Sequence, residues 1–264
     1  ALNVIISIYL QLNNVLLGFM KDTEAVGYFT AATKIMVITM SISSALGAVI
    51  MPRTSNLIAE ERMDEFKALV QKSYDFIFAL AMPLMVGLIF TSPSAVLLLS
   101  GEGFVPAILT SQIVAFNILT VGLSGVMGIQ VLYPLGKINI VILCTSIGAI
   151  INVFLNVLLI PRYGHNGTAV AYMLAEMTVT VSMFFIGKRY IPIRFLKRQH
   201  LNYVLGSVVM GVCLYFISWL GLGNTATLVM MISMGGIVYV VILLFLRDSI
   251  GMIPWKILRE KFGK

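Results

Sequence analysis

The stretch 152–176, "NVFLNVLLIPRYGHNGTAVAYMLAE", decides the fold. It crosses one apolar run, breaks at Pro161-Arg162-Tyr163-Gly164 and enters a second, so it reads as two membrane-crossing helices joined by a short turn. Pro161 and Gly164 end the first helix, and Gly167 and Ala169 let the second pack closely. Asn152 and Asn156 lie in the first run and Glu176 in the second. Polar groups at such depth are costly, so each needs either a buried partner or a polar cavity.

Working outward, the same pattern repeats. The chain has 264 residues, of which 59% are hydrophobic and only 11% charged, with a mean hydropathy of +0.98. A soluble domain carries about 25% charged residues. The expected class is therefore all-α: a polytopic bundle with eight spans at 1–20, 27–50, 74–92, 106–132, 139–160, 166–187, 201–220 and 225–246. The stretch 93–105, with Pro93, Gly101 and Gly103, is expected to be an interfacial turn. Residue 1 is alanine and opens directly on an apolar segment without a charged leader, which gives the expectation that the sequence begins mid-protein.

Charge sets the expected orientation. Of 18 Lys and Arg residues, four fall in 51–73, one in 133–138, five in 188–200 and five in 247–264, all on one side of an eight-span layout. Lys21 and Arg162 face the other side, and Lys34 lies within a span. The basic side is expected to be cytoplasmic and to hold both ends of the chain. The segments 59–72, 188–200 and 247–264 are amphipathic or basic; 59–72 is expected to form a short interfacial or bundle-capping helix. These segments suit anionic membrane lipids, so the net charge of +7 needs no nucleic acid.

Catalytic chemistry finds no home here. Cys144 and Cys213 sit in apolar runs and read as small buried residues, and no metal-ligand spacing is present. His165 and His200 stand alone in loops and read as solvated. No nucleophile–His–acid set, phosphate loop or pair of catalytic acids can be assembled, so neither an enzyme nor a cofactor is expected. A many-helix protein with scattered intramembrane polar groups points to a transporter.

Three ionisable groups stand out, since each costs about 2.5–3.5 kcal/mol to insert at a helix centre. Lys34 shares a stripe with Gly27, Thr30, Ala31, Ile38, Ser41, Ala45 and Ala48, which suits a cavity wall or close helix packing, with snorkelling as the plainer reading. Glu176 lies near the midplane, as a candidate coupling carboxylate or as a buried partner of the amides or of Lys34. Asp75, the other candidate carboxylate, sits at the cytoplasmic edge, where snorkelling is the plainer reading. Asn13, Asn14, Asn152 and Asn156, with Gln11, Asn117 and Gln130, either bond between helices or line a hydrophilic cavity that admits sugars.

Several stretches resemble the multidrug/oligosaccharidyl-lipid/polysaccharide exporter superfamily, and within it the Wzx-type flippases. They are "GAIINVFLNVLLIPRYGHNGTAVAYMLAE", "VGYFTAATKI" (26–35), "MPRTSNLIAE" (51–60), "LLLSGEGFVPA" (97–107) and "GIQVLYPLGKIN" (128–139), in matching order over roughly 13–190. The resemblance implies two six-helix lobes followed by two extra helices. On that map 1–187 is the second lobe, 188–246 a basic cytoplasmic loop with the two added helices, and 247–264 a basic cytoplasmic tail; the first lobe becomes a missing partner. It also implies that Lys34, in "YFTAATK", resembles a cavity-facing arginine of lipid II flippases, with one extra residue in the spacing.

The function so implied is flipping of an undecaprenyl-pyrophosphate-linked oligosaccharide repeat across the bacterial inner membrane. Lys34 would neutralise the pyrophosphate, with Asn13, Asn14, Ser41, Asn152 and Asn156 as candidate cavity residues and the polyprenyl tail left in lipid. Polysaccharide polymerase machinery is a further implied partner. The rivals are a multidrug or cation antiporter of the same superfamily, a lipid II flippase, a membrane-embedded glycan polymerase or acyltransferase, and a purely structural membrane subunit.

Overall fold

The computed structural model describes residues 2–191, 193–194 and 197–246, with the backbone alone at 2–10 and 43–49. Its helices are α1 (Leu2–Met20), α2 (Thr23–Ala59), α3 (Met63–Ser100), α4 (Ala107–Val114), α5 (Phe116–Gly125), a π-helical segment (Val126–Leu132), α6 (Ile138–Gly187), α7 (Arg198–Ser218) and α8 (Asn224–Phe245). No strand occurs among the described residues. Among the described residues six helical stretches are long and apolar enough to cross a membrane, with α4, α5 and the π-helical segment counted together.

α6 is two crossings, because the chain folds back at Gly164, whose φ of 54° lies in the left-handed region glycine favours. Close contact between the arms follows from small residues. A Cβ on Gly148 would lie 2.2 Å from Val179 Cγ2, and one on Gly167 would lie 2.6 Å from the Leu159 carbonyl oxygen. Pro161 stays within the last turn of the first arm, so Gly164 alone makes the turn. With the 19-residue α1, and α6 taken as two arms, the described residues hold eight helical stretches of spanning length, where the hydropathy pattern predicts eight.

The alternation of helices leaves one basic side, with the turns at 60–62, 133–137 and 188–191, and an opposite side with the turns at 21–22, 101–106, 161–165 and 219–223. Contacts within each side agree with this. On the basic side Lys137 lies over the Tyr190 ring, 5.6 Å from its centroid. On the opposite side Tyr28 meets both Phe104 and His165 edge-on, at 5.6 and 5.2 Å. The core has a half near the opposite side, around Phe29, Met36, Val96, Ile118 and Tyr172, and a half near the basic side, around Phe66, Val70, Met127 and Cys144. A third cluster joins α7 and α8 to α3 through Ala79, Tyr203, Met210 and Tyr239.

Three expectations are corrected. The first concerns 93–105: α3 runs without a break through Pro83 and Pro93 to Ser100, and only 101–106 is a turn. A proline inside a helix leaves the carbonyl four residues earlier without its donor. Here both orphans are satisfied from neighbouring helices, as hydrocarbon requires. Gln112 Nε2 on α4 donates to the Ile89 carbonyl (3.2 Å), and the Tyr239 hydroxyl on α8 donates to that of Ala79 (2.5 Å).

Secondly, 63–72 is not a separate interfacial helix but the first turns of α3, with Phe66 and Val70 fully buried in the core. A tight turn at Glu60–Arg62 precedes it, where Glu61 adopts φ 57° and the Arg62 guanidinium bonds Glu60 and Glu65. Thirdly, Ile191 and Ile193 of the basic segment 188–200 are buried against the core instead of lying in headgroups. The tail 247–264 lies outside the described residues.

Candidate functional site: a cation beside an apolar groove

α2 begins at Asp22, whose carboxylate caps the helix by accepting from the Ala25 N–H (2.7 Å). Twelve residues on, Lys34 projects from the exposed face of the helix, and among the described residues no carboxylate pairs with it. Ile38, Ser41 and Ile42 continue the same exposed face, with Ile38 at 63% and Ile42 at 58% exposure. Such exposure on a helix long and apolar enough to cross a membrane means contact with lipid, with a bound molecule or with further protein.

Ile38 and Ile42 are also the α2 wall of a groove of about 630 Å³. Its floor is α3, from Phe76 to Thr91, and its far wall is α7 and α8, including Met210 and Tyr239. The few polar groups in its lining are turned inward: Thr39 Oγ1 donates to the Ile35 carbonyl, Thr91 Oγ1 to Gly87 and the Tyr239 hydroxyl to Ala79. The groove therefore presents hydrocarbon along its length. Lys34 lies one turn before Ile38, its Cα about 6 Å further along the axis, and is not itself part of the lining.

The candidate amides lie elsewhere. Asn13, Asn152 and Asn156 are buried together between α1 and the first arm of α6. Asn156 Nδ2 donates to Asn13 Oδ1 (2.8 Å) and to the Asn152 carbonyl (3.0 Å). Asn14 is half-buried and accepts a long bond from the Thr30 hydroxyl, 3.4 Å, which links α1 to α2. Ser41 is exposed and donates to the Ile38 carbonyl within its own helix (2.7 Å). The sequence thus supplies one buried amide set and one exposed cationic face, and Asn14, through Thr30, is the candidate amide that reaches the Lys34 stripe.

Glu176 is buried on the second arm of α6, where Thr180 Oγ1 donates to the Thr120 carbonyl (2.9 Å) and fastens the arm to α5. Lys34, in contrast, faces outward. Asp75 does not snorkel: it is buried, with Lys197 Nζ at 2.6 Å from Oδ2 and both Gln71 Nε2 (2.9 Å) and His200 Nε2 (3.0 Å) at Oδ1.

Both histidines depart from the solvated reading. His200 is 1% exposed and stacks on Phe78 with ring centroids 4.8 Å apart. His165 Nδ1 lies 2.7 Å from Thr110 Oγ1, which itself donates to Asn166 Oδ1 (2.8 Å). With that hydroxyl hydrogen committed, the imidazole N–H donates to the threonine oxygen. Reading the sequence missed Lys197, His200, Gln112 and Tyr239, because none of them stands in an apolar span beside its partner in sequence.

Helix order, the α6 hairpin and the α7–α8 pair together define a multi-pass helical membrane protein. Comparison with known proteins agrees. Residues 1–109 match the family described as polysaccharide biosynthesis protein. The chain is 24% identical over 237 residues to the probable low-salt glycan biosynthesis flippase Agl15 of Haloferax volcanii, covering 89% of this chain and 50% of that protein. It is 21% identical over 173 residues to the uncharacterized membrane protein MJ1068 of Methanocaldococcus jannaschii, covering 66% of this chain and 34% of that one. Among solved structures, the inward closed conformation of the lipid II flippase MurJ superposes with a TM-score of 0.80 at 17% identity, over 94% of this chain and 52% of that one. The fold is the one seen in that structure, and the resemblance to the exporter superfamily is borne out. The chain spans half or less of the length of the curated relatives it matches.

Proposed function

We propose that this chain is the second lobe, with two appended helices, of a flippase that carries a polyprenyl-linked oligosaccharide between leaflets. In a bacterial inner membrane that cargo is the undecaprenyl-pyrophosphate-linked repeat unit, moved from a cytoplasmic basic side outward. The observation that carries this reading is that Lys34 stands on the exposed face of α2, one turn before Ile38 of an apolar groove. A cation beside hydrocarbon matches a lipid that is anionic at its head and apolar behind it. Lys34 would meet the pyrophosphate as a point charge, and Ile38, Ile42 and the far wall would take the isoprene units nearest to it. The sugars would lie on the exposed side of α2, toward the first lobe, and rocking of the two lobes would move the headgroup.

The buried amides Asn13, Asn152 and Asn156 act as interhelical glue that keeps α1 on α6. Asp75 has a structural place, and Glu176 stays the candidate coupling carboxylate. A drug or cation antiporter fits less well, since it would favour an acidic face where Lys34 stands. The basic side-chain array faces anionic lipid, and a polysaccharide polymerase would act on the delivered cargo. Deleting the gene in a cell without a second flippase should abolish the surface glycan and leave its lipid-linked precursor in the cytoplasmic leaflet. Normal surface glycan in that strain would remove this reading.

A further inference from the structure

The helix pair α7–α8 forms the far wall of the groove, and its main seat on the rest of the bundle is α3. Width at the groove therefore depends on where that pair sits. Polar attachments to α3 help to hold it, and two of them are resolved in detail. One is the Tyr239 hydroxyl on the Ala79 carbonyl. The other lies at the basic end, one residue from the groove-lining Phe76, where Asp75 accepts from Lys197, His200 and Gln71.

Each part of this second attachment is oriented. The Lys197 backbone N–H donates to His200 Nδ1 (3.2 Å), so Nε2 carries the proton that goes to Asp75. Phe78 stacks on the imidazole and Tyr74 meets it edge-on at 5.5 Å, so the ring stays in register. Gln71 holds the incoming connection as well: the Arg194 N–H donates to its Oε1 (2.8 Å) and its Nε2 reaches the Arg194 carbonyl (3.4 Å). One turn of α3 thus grips both the connection from α6 and the first turn of α7. A carboxylate with both oxygens engaged in this way is strongly destabilised when one partner is removed.

We propose that Asp75, with Lys197 and His200, is a positioning device for the transported lipid: it clasps α7 to α3 and so sets the width of the groove at its basic end. It touches no cargo. The proposal rests on the reading of the groove as the seat of the lipid tail. Releasing the clasp lets the α7–α8 wall move away from α3, which loosens the hold on the tail and leaves the cation at Lys34 unchanged.

The test uses the full-length protein with Cys213→Ala and spin labels at Leu143→Cys on α6 and Val241→Cys on α8, both more than half exposed. Three variants are compared with the parent: Asp75→Asn, Asp75→Glu, and His200→Phe, which keeps the ring stack but removes the donor. Expected are a longer, broader inter-label distance for Asp75→Asn and His200→Phe and partial restoration by Asp75→Glu. In vesicles carrying a fluorescent polyprenyl-pyrophosphate oligosaccharide, the half-saturating cargo concentration should rise severalfold with a smaller change in maximal rate. Parental distances in both Asp75→Asn and His200→Phe would overturn the clasp. Loss of the parental fold in Asp75→Asn leaves His200→Phe to decide. If the parent itself does not flip the lipid, the flippase reading fails, and the distances still decide the clasp.

Discussion

Gln112 donates its side-chain amide to the carbonyl of Ile89, the oxygen that Pro93 leaves without a helical partner. α4 is thereby joined to α3 at the proline nearest the C-terminal end of α3. Gln112→Leu should cost about 1–3 kcal/mol, the penalty of an orphaned buried acceptor. Pro93→Ala restores the N–H, so the double variant Pro93→Ala/Gln112→Leu should recover most of the loss. Thermal unfolding in detergent measures both; equal losses in the single and double variants would separate Gln112 from Pro93.

The Asn13–Asn156 pair makes a second prediction. Asn156→Leu removes the donor and leaves Asn13 Oδ1 facing an apolar side chain. Interhelical bonds of this kind contribute about 0.6 to 2 kcal/mol in membranes. The double variant Asn13→Leu/Asn156→Leu should be no less stable than either single one. Cargo saturation should not change in any of them, because both side chains are buried and bonded to each other. A change in saturation without a change in stability would return these amides to the cargo path.

Two glycines of the α6 hairpin should differ. At Gly167 an added Cβ meets backbone, the Leu159 carbonyl at 2.6 Å. At Gly148 it meets chiefly the end of a side chain, Val179 Cγ2. Backbone cannot change rotamer, so Gly167→Ala should cost about 1–3 kcal/mol and Gly148→Ala less. Midpoints of thermal unfolding decide the order, and a larger drop for Gly148→Ala would contradict the hairpin geometry.

Sequence periodicity carried the crossings and the hairpin at 152–176, because hydrocarbon forces long apolar runs and because Gly164 has few other uses in such a place. Charge asymmetry likewise separates the two sides. What it could not carry was satisfaction at a distance. Pro93 looks like a turn until Gln112, 19 residues on, is seen to fill its gap, and Pro83 needs Tyr239. Asp75 looks like an edge residue until Lys197 and His200 arrive from α7. Lys34 was legible as a cation in an apolar helix, but the groove beside it is made by α3, α7 and α8 and has no local signature.

The central claim is that Lys34 meets the phosphate end of a lipid whose tail lies in the groove. Its most direct measurement is the rate of leaflet exchange of a fluorescent polyprenyl-pyrophosphate oligosaccharide in vesicles containing the full-length protein as wild type, Lys34→Arg and Lys34→Ala. The account predicts that Lys34→Arg keeps most of the rate and Lys34→Ala falls at least about tenfold, a loss of ~1.4 kcal/mol in the transport step. Equal rates in wild type and Lys34→Ala, with the protein folded in both, would contradict it and leave Lys34 as a side chain that only snorkels to the headgroups.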